Sequence, residues 1–352
     1  MAGTERKLRA VVAVPLSEEH CRLIEELEPR LEVVRDHSLV HPMRGPADWS
    51  GDPEHVRTPA EQAAFEELVD SADVLFGIPD VDPGALARTV AANPRLRWVM
   101  TTAAGGGGQI KAANLDAEAL ARVVFTTSAG VHGGPLAEFA VFSVLAGAKG
   151  LPRLLADQAA GTWSPRWEMR QLEELTVLVV GLGGIGAACA RRFDALGARV
   201  WGTSRSGVPV DGVERLVPLD RLAEAVAEVD AMVVALPGTA RTHHLVGSEV
   251  LRAVKPGMIL ASVGRGSVID ERELVAALDD GRVSFAALDV FEIEPLPASS
   301  PLWSHPRVLV SPHTAALDGK EEERVARRFA ENASRLIDGQ PLRAVVDTVE
   351  FY

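Results

Sequence analysis

Four side chains able to carry acid–base or anion-binding chemistry follow apolar runs in the C-terminal half of the chain: Arg265, Asp289, Glu294 and His313. Arginine can clamp a carboxylate through two parallel hydrogen bonds, and histidine is the usual proton carrier near neutral pH. A glutamate beside that histidine favours the imidazolium and fixes the ring. Together these groups suit the reduction of a 2-oxo acid, in which a hydride goes to the carbonyl carbon and a proton goes to its oxygen.

Each of these residues, considered alone, also has an ordinary structural interpretation. Arg265 and Glu294 could form a surface ion pair, and His313 could be a hydrogen-bonded histidine at a strand end. Asp289 could cap a helix. Their combination downstream of a dinucleotide-binding motif favours the catalytic interpretation, with Arg265, Glu294 and His313 as the predicted catalytic residues.

The motif is a GxGxxG at the end of a buried apolar run, in the segment TVLVVGLGGIGAACARRF. Gly181 permits a tight turn, Gly183 lets the backbone approach a pyrophosphate, and Gly186 lets the following helix pack closely on the strand. With Gly184 and Ile185 they form the predicted phosphate-binding turn, because the helix that starts here presents unpaired N–H groups and the positive end of its dipole. A strand, a helix and a second strand occur in the expected order, so a plain structural turn is the weaker interpretation.

The end of the second strand indicates which cofactor is bound. An acidic residue about 20 positions after the motif would bond the ribose 2′-hydroxyl of NAD, but the chain reads Thr203-Ser204-Arg205-Ser206 there. No carboxylate would repel a 2′-phosphate, and Arg205 with hydroxyl groups such as that of Ser204 could hold one. The sequence therefore favours NADP(H). The alternative is that Arg205 stacks on the adenine and that NAD(H) is accepted as well.

Apolar runs that alternate with helical patterns predict the elements that position these residues. About eleven runs, from LRAVVAVPL (8–16) to RVLVSP (307–312), are continuous, which is typical of strands buried on both faces of parallel sheets. A helical pattern extends from Leu136 to Ala160. Eleven strands exceed one comfortable sheet, so the chain is predicted to form two doubly wound parallel-sheet α/β domains.

Two stretches are predicted to be the boundaries between these domains. They are the glycine-rich SAGVHGGP (128–135) and SPHTAALDG (311–319). The first domain then comprises residues 1–130 and 317–352, and the second domain, residues 131–316, is inserted into it. The dinucleotide-binding motif lies in the inserted domain.

Composition excludes several classes of protein. Of the 352 residues, 47% are hydrophobic and 24% are charged, which is sufficient for packed cores, and the net charge of −13 disfavours nucleic acid or an anionic membrane as a partner. The N-terminal stretch lacks a signal-peptide pattern and no run approaches 18 uncharged apolar residues, so we expect a cytoplasmic protein. The two cysteines, Cys21 and Cys189, are too few for a disulfide framework, and no cluster at zinc-site spacing predicts a metal.

Together these motifs resemble the D-isomer-specific 2-hydroxyacid dehydrogenase family, which includes glyoxylate/hydroxypyruvate reductases, D-lactate dehydrogenases and D-3-phosphoglycerate dehydrogenases. The resemblance covers nearly the whole chain and is carried by the four residues above and by LRWVMTTAAG (96–105), HGGPLAEFAVFSVL (132–145), VVGLGGIG (179–186), ALPGTARTHHLVG (235–247) and FAENASRLIDGQPLRAVVD (329–347). It implies a Rossmann cofactor domain inserted into a flavodoxin-like substrate domain. It also implies a homodimer built mainly from the cofactor domain, with residues 135–163 at the interface.

The resemblance further implies what individual residues do. Arg265 would bind and polarise the substrate, and His313, paired with Glu294, would be the acid in reduction and the base in oxidation. Asp289 would lie near the nicotinamide carboxamide.

Backbone positions complete the implied site. Leu236 and Pro237 would belong to the turn after the fourth strand of the cofactor domain, and the amides around Ala104, Gly105 and Gly106 would hold the substrate carboxylate. The chain departs from the family here, since glycines occupy 105–108 where many members have a hydrophobic residue and an aspartate. Four glycines give the backbone unusual freedom, so the loop either orders when substrate binds or admits a bulkier acid.

The function implied is an NAD(P)-dependent 2-oxoacid reductase that gives the (R)-2-hydroxy acid. One alternative is a formate-dehydrogenase-like enzyme of the same superfamily, but hydride abstraction from formate does not require a histidine–glutamate pair. Another is an NAD(H)-sensing binding protein, like the transcriptional corepressors built on this fold. The acidic charge and the absence of basic tails give that alternative little support.

Overall fold

The strands of the protein lie in two sheets, and every strand pair in them is parallel. The computed structural model describes residues 6–205 and 207–351. In this part of the chain the strands are β1 (Leu8–Val12), β2 (Leu31–Val34), β3 (Val74–Phe76), β4 (Trp98–Met100), β5 (Val124–Thr126), β6 (Thr176–Val180), β7 (Arg199–Thr203), β8 (Arg215–Val217), β9 (Ala231–Val234), β10 (Met258–Ser262), β11 (Val283–Leu288) and β12 (Val308–Val310). The α-helices are α1 (Glu18–Leu27), α2 (Pro59–Asp70), α3 (Pro83–Ala92), α4 (Gly107–Ala112), α5 (Ala117–Arg122), α6 (Gly133–Ala148), α7 (Leu151–Ala159), α8 (Gly184–Ala195), α9 (Leu222–Val226), α10 (Ser248–Ala253), α11 (Glu271–Asp279) and α12 (Glu321–Ile337).

The chain divides into two units. The first unit contains the described residues up to His132 and from Leu317 onward, and the second unit is Gly133–Ala316. Each unit has one sheet with a hydrophobic layer on either face. The chain therefore leaves the first unit once and returns to it once.

The first unit contains the five-stranded sheet, in the order β2-β1-β3-β4-β5. This is the flavodoxin-like order, in which the chain switches direction between β1 and β3. Successive residues of a strand face opposite sides of the sheet. Phe76 and Trp98 accordingly lie in one hydrophobic layer, and their neighbours Leu75 and Val99 lie in the other.

Helix α12 covers the aromatic side of this sheet. The Phe329 ring stacks on Trp98 with 4.7 Å between the ring centroids, and it meets Phe76 edge-on at 5.2 Å. Val325 and Ala333 continue the buried stripe along the helix. The helix ends before Gly339, whose φ of +65° provides the left-handed conformation in which helices commonly end. The last helix of the chain is thus part of the core of the first unit.

The long segment between β2 and α2 has no regular element but is packed. Leu39, Val40 and Trp49 are buried in the hydrophobic layers of the first unit. Arg57 donates to both carboxylate oxygens of Asp80 at 2.7 and 2.9 Å. The segment is therefore fixed to the unit by apolar contacts at one end and by a buried guanidinium at the other.

The second unit contains the seven-stranded sheet, in the order β12-β11-β10-β9-β6-β7-β8. This is the Rossmann order with one further strand, because the chain fills β6, β7 and β8 on one side and then crosses to β9 on the other. Strands β6, β9 and β10 are buried at every position, as their continuous apolar runs predict. The structure therefore confirms the predicted fold class of two doubly wound parallel sheets.

Two details differ from the sequence prediction. Strand β8 was not predicted, because its three residues, RLV, lie at the sheet edge and include the exposed Arg215. The helical pattern from Leu136 to Ala160 is two helices, α6 and α7, since Gly150 between them adopts a left-handed conformation with φ +70°. That conformation interrupts the helix and turns the chain.

A helix that spans a membrane must be both long enough and apolar enough. Within the described chain no single helix reaches both requirements. Helices α6 and α7 reach them only as a pair, and that pair is bent by 65°.

A buried carboxylate fixes α12 to the start of the chain. Glu28, at the end of α1, accepts hydrogen bonds from Arg30 at 2.6 and 2.7 Å and from the Ser334 hydroxyl of α12 at 2.6 Å. The bonds from Arg30, reinforced by Ser334 against the opposing effect of burial, lower the pKa of Glu28 from 4.5 to about 2. A carboxyl with a lowered pKa stabilises the folded state above its unfolded pKa and loses that contribution as the pH falls towards the folded value.

We therefore predict that Glu28→Gln lowers the free energy of unfolding at pH 7 by up to about 3 kcal/mol, since each pKa unit corresponds to about 1.4 kcal/mol. In urea unfolding experiments the difference from wild type should shrink between pH 4.5 and pH 2. The matched control is Glu32→Gln, which removes a half-exposed partner of Arg9 and should cost less than about 1 kcal/mol. Equal losses in the two variants would contradict the role given to Glu28.

Candidate functional site

The predicted site residues of the second unit stand at one edge of the seven-stranded sheet. Each follows the carboxyl end of a strand, and all parallel strands end at the same edge. In sheet order they are His313 after β12, Asp289 and Glu294 after β11, Arg265 after β10, Leu236 and Pro237 after β9, Gly181 to Gly186 after β6, and Ser204 and Arg205 after β7. The order of the strands therefore brings together residues up to 132 positions apart in sequence.

The glycine turn after β6 has the backbone geometry of a phosphate cradle. Gly181 has a φ of +102°, and its N–H donates to the Thr203 hydroxyl at the end of β7 at 2.9 Å. A Cβ on Gly186 would lie 1.9 Å from the carbonyl oxygen of Gly181, so the helix and the turn approach as closely as glycine allows. Helix α8 starts at Gly184 with Gly183 as N-cap and no side-chain cap, which leaves the N–H groups of its first turn available to an anion.

The end of the neighbouring strand β7 carries the residues predicted to determine whether NAD or NADP binds. Thr203 is buried and occupied by the hydrogen bond from Gly181. Ser204 follows with partial exposure and Arg205 is exposed. Ser206, the last residue of the predicted motif, lies outside the described residues. The strand end thus presents an arginine and a hydroxyl group where a carboxylate would mark a ribose 2′-hydroxyl site.

His313 and Glu294 form a hydrogen-bonded pair. His313 Nδ1 lies 2.6 Å from Glu294 Oε2, and Glu294 Oε1 accepts from the Phe291 N–H at 2.9 Å. The side chains are 44% and 34% exposed respectively, so the pair is open to solvent on one side. Because Nδ1 faces the glutamate, Nε2 is the ring nitrogen left for another partner. The ion pair considered for Arg265 and Glu294 does not form among the described residues.

Asp289 fixes the turn that carries His313. Its carboxylate is 1% exposed, and Oδ1 accepts from the Ser311 hydroxyl at 2.5 Å and from the N–H groups of Thr314 and Ala315 at 2.9 and 3.0 Å. His313 lies inside this turn with a φ of +53°, a conformation that costs a residue other than glycine about 1 kcal/mol or more. The hydrogen bonds to Asp289 hold it there.

This positioning role was not predicted from the sequence. Asp289 and Ser311 follow adjacent strands, β11 and β12, but they are 22 residues apart in the chain. Strand order would be needed to predict their contact. Asp289 is expected from the sequence to lie near the nicotinamide carboxamide, and this does not indicate a role in holding the His313 turn.

Two glycines fix the backbone of Arg265 between neighbouring loops. A Cβ on Gly264 would lie 2.5 Å from the carbonyl oxygen of Leu236, in the turn after β9. A Cβ on Gly266 would lie 1.9 Å from the carbonyl carbon of Phe291, in the loop after β11. The backbone on either side of Arg265 is therefore in close contact with a neighbouring loop. The Nη1 of Arg265 donates to the Gly264 carbonyl at 2.9 Å.

The residues predicted to bind the substrate carboxylate belong to the first unit. Ala104, Gly105 and Gly106 connect β4 to α4. A Cβ on Gly106 would lie 2.0 Å from the Thr101 hydroxyl oxygen, which itself donates to the Ala103 carbonyl at 2.9 Å. Gly107 and Gly108 form the first turn of α4. The glycine-rich stretch is therefore a compact loop and helix start rather than an open chain.

A group of potential metal ligands in the first unit is better explained by ordinary contacts. The ligand atoms of Glu18, Cys21 and His37 lie within 4.8 Å of one another. Burial raises the pKa of the Cys21 thiol to about 12, which keeps it protonated, and the Arg35 guanidinium lies 2.7 Å from the Glu18 carboxylate. A neighbouring guanidinium repels a cation, so we assign no metal to this group.

Two observations test whether the second unit fits a dinucleotide. Asp289 Oδ2 is buried and has no hydrogen-bond partner among the described residues, so it is suited to accept from the carboxamide N–H₂ of a nicotinamide. Gly183 is exposed, and a Cβ built on it would meet nothing within 4 Å, which leaves open space directly above the start of α8. The predicted cofactor site therefore has a hydrogen-bond acceptor for the carboxamide at one end and open space for the pyrophosphate at the other.

We predict that Gly183→Ala weakens dinucleotide binding at least about tenfold, because the methyl group takes the space of the pyrophosphate. The unfolding midpoint should stay close to wild type, since Gly183 has a φ of −77° and open space around it. Gly186→Ala should lower both binding and stability, and Gly45→Ala, in open space in the first unit, should change neither. Titration calorimetry and thermal unfolding separate these effects, and wild-type affinity in Gly183→Ala would contradict the cradle.

The sequence of the chain is similar to those of known proteins. The family model described as D-isomer specific 2-hydroxyacid dehydrogenase, NAD binding domain, matches residues 141–315. Glyoxylate/hydroxypyruvate reductase A of Salmonella dublin is 33% identical over 265 residues, which cover 74% of this chain and 83% of that protein.

Solved structures resemble the chain over nearly its full length. A D-isomer specific 2-hydroxyacid dehydrogenase from Xanthobacter autotrophicus Py2, in complex with NADPH and MES, is 30% identical with a TM-score of 0.76, covering 98% of this chain and 100% of that one. A family protein from Aeromonas salmonicida is also 30% identical, with a TM-score of 0.73 and coverage of 97% and 99%. Because sequence and fold agree over both units, the chain belongs to the D-isomer-specific 2-hydroxyacid dehydrogenase family.

Proposed function

We propose that the protein reduces a 2-oxo acid to the (R)-2-hydroxy acid with NADPH, using His313 and Glu294 for proton transfer and Arg265 for the substrate carboxylate. The observation that carries this proposal is the 2.6 Å hydrogen bond between His313 and Glu294, at the same sheet edge as the glycine turn. The family is one of nicotinamide-dependent oxidoreductases that act on 2-hydroxy acids, which sets the reaction class.

The proton is delivered by the histidine. His313 holds its Nδ1 proton against Glu294, so the imidazolium donates from Nε2 to the carbonyl oxygen of the substrate. The hydrogen bond from Nδ1 to the Glu294 carboxylate orients the ring before transfer and fixes its tautomer after it. When bound, the dihydronicotinamide supplies the hydride. In the oxidative direction the neutral ring of His313 takes the hydroxyl proton.

Arg265 and Asp289 orient the two ligands. The guanidinium of Arg265 binds the substrate carboxylate and polarises the carbonyl, and its backbone is held by the flanking glycines. Asp289 would bind the carboxamide through Oδ2, while Oδ1 holds the His313 turn. The turn at Leu236 and Pro237 would border the cofactor.

The substrate is proposed to be a small 2-oxo acid such as glyoxylate or hydroxypyruvate. The support is the Salmonella dublin relative, whose name states those two acids. The backbone amides around Ala104, Gly105 and Gly106 are further proposed contacts of the substrate carboxylate. We accordingly assign residues 1–130 and 317–352 to a substrate domain and residues 131–316 to a cofactor domain.

NADP(H) is the proposed cofactor, with NAD(H) as the alternative. Residues 203–205 contain no carboxylate, and Arg205 supplies a positive charge at the end of β7. The Xanthobacter autotrophicus structure was solved with NADPH. A guanidinium suits the 2′-phosphate that distinguishes NADP from NAD.

A homodimer through the cofactor domain is supported by apolar exposure on α6, α7 and the loop after them. Phe142, Leu154 and Leu155 are exposed, and Trp163 is 99% exposed. Several exposed large apolar side chains within one short stretch of chain are typical of a protein interface. The cytoplasmic location stays a prediction from the sequence.

We predict that His313→Ala lowers kcat for glyoxylate reduction by about 10²- to 10⁴-fold with little change in NADPH affinity, since general acid catalysis is lost. Arg265→Ala should lower kcat and raise KM for the acid together. Nicotinamide absorbance with a panel of 2-oxo acids measures both. Near-native turnover in His313→Ala would refute the mechanism, formate-dependent reduction of the cofactor would support the formate alternative, and no turnover of any acid with either cofactor would support the sensor alternative.

Cofactor choice has its own test. Arg205→Ala should raise KM for NADPH by about 10- to 100-fold, the equivalent of one charged hydrogen bond, and leave KM for NADH within about threefold. The matched control is Arg199→Ala, which removes an exposed arginine from the other end of β7. An equal change for the two cofactors, or the same change in the control, would refute the phosphate role of Arg205.

A further inference from the structure

Two glutamates join the loop that carries Glu294 to the start of α11. Glu292 Oε1 accepts from the Glu271 N–H at 2.9 Å, and Glu271 Oε1 accepts from the Glu292 N–H at 2.7 Å. We call this reciprocal pair of carboxylate-to-amide bonds the glutamate clamp. Because Glu292 is two residues before Glu294, the clamp fixes the loop immediately before the proton-transfer pair.

His244 connects the clamp to the loop of Arg265. Its Nε2 lies 3.1 Å from Glu292 Oε1, and its Nδ1 lies 3.7 Å from Asp270 Oδ2. Its backbone N–H donates to the carbonyl of Ser267, two residues after Arg265, at 2.9 Å. The side chain of His244 therefore contacts the loop of Glu292 and Glu294, and its main chain is hydrogen-bonded to the loop of Arg265.

The two loops also touch directly at one point. Gly266 lies against the backbone of Phe291 so closely that a Cβ would be 1.9 Å from the Phe291 carbonyl carbon. The N–H of the same Phe291 donates to Glu294 Oε1. A shift of the loop at Glu292 would therefore displace Glu294 and the backbone next to Arg265 together.

The electrostatics of the clamp are unfavourable on their own. Glu271 is half-buried, and burial together with the carboxylates of Glu292 and Glu294 raises its pKa. Like charges gathered near a partly buried site cost folding free energy, and such arrangements are typical of functional sites. Besides the Glu271 N–H, His244 Nε2 is the polar group described at the Glu292 carboxylate.

We propose that Glu292 and His244 are positioning residues that hold Glu294, His313 and Arg265 in one catalytic geometry. Neither residue is assigned a contact with substrate or cofactor. The clamp sets the position of the Glu294 loop, and His244 sets the spacing between that loop and the loop of Arg265. This inference rests on the reductase function proposed above.

The experiment compares Glu292→Ala with wild type in glyoxylate reduction with NADPH. Glu292→Ala should lower kcat by about 10- to 100-fold, the scale of a misplacement near 1 Å, and change KM for NADPH and glyoxylate by less than about threefold. The solvent deuterium isotope effect on kcat should rise, because proton transfer from a misplaced His313 becomes slower. A purely structural role would not change that isotope effect in the folded enzyme.

Two conservative variants keep the test decisive if Glu292→Ala does not fold. Glu292→Gln keeps an oxygen that accepts the Glu271 N–H and should recover most of kcat. His244→Asn suits the left-handed backbone of that position, φ +49°, and removes only the imidazole. It should lower kcat about three- to tenfold, and the double variant should lose less than the product of the single losses, since both act on one loop.

The control variant is Glu273→Ala, in the same turn of α11, whose carboxylate has no hydrogen bond or ion pair within the described chain. It should behave as wild type. Wild-type kcat and isotope effect in both Glu292→Ala and His244→Asn, or an equal change in the control, would overturn the positioning role. If wild-type enzyme turned over no 2-oxo acid, the reductase proposal itself would fail, so the two failures are distinguishable.

Discussion

The buried carboxylate of Asp289 is the interaction on which the geometry of the site depends most. Its Oδ1 accepts three hydrogen bonds from the turn after β12, and that turn holds His313 in a left-handed conformation that is unfavourable for a residue other than glycine. The unpaired Oδ2 faces no protein partner among the described residues. One side chain thus positions His313 and leaves an acceptor for a ligand, and the neighbouring loops are held close to each other by glycine contacts.

Part of this arrangement could be predicted from the sequence because it depends on local pattern. Continuous apolar runs indicate buried parallel strands, and the glycine spacing indicates the turn at Gly181–Gly186, since both reflect steric requirements within a few residues. The pairing of His313 with Glu294 was expected from the resemblance to a family. Strand β8 was not, because a three-residue edge strand has too few apolar positions to produce a pattern.

Contacts between residues that are distant in sequence could not be predicted in the same way. Nothing in the sequence distinguishes His244, Glu271 and Glu292 from ordinary polar surface residues. Only the order of strands β9, β10 and β11 brings their loops together. The net charge of −13 likewise gives no indication of where anions bind. In the proposed function, a phosphate and a carboxylate would bind to local donors, namely backbone N–H groups at the start of α8 and individual arginines.

The position of α12 has a consequence for the order in which the chain folds during synthesis. The aromatic face of the first sheet, with Phe76 and Trp98, is completed only by Phe329, which the ribosome adds more than 200 residues later. The second unit is contiguous in sequence and is fully synthesised before α12 emerges. The first unit to begin synthesis therefore completes its core last, and until then its aromatic face is the kind of exposed apolar surface that makes a partly folded chain prone to aggregate.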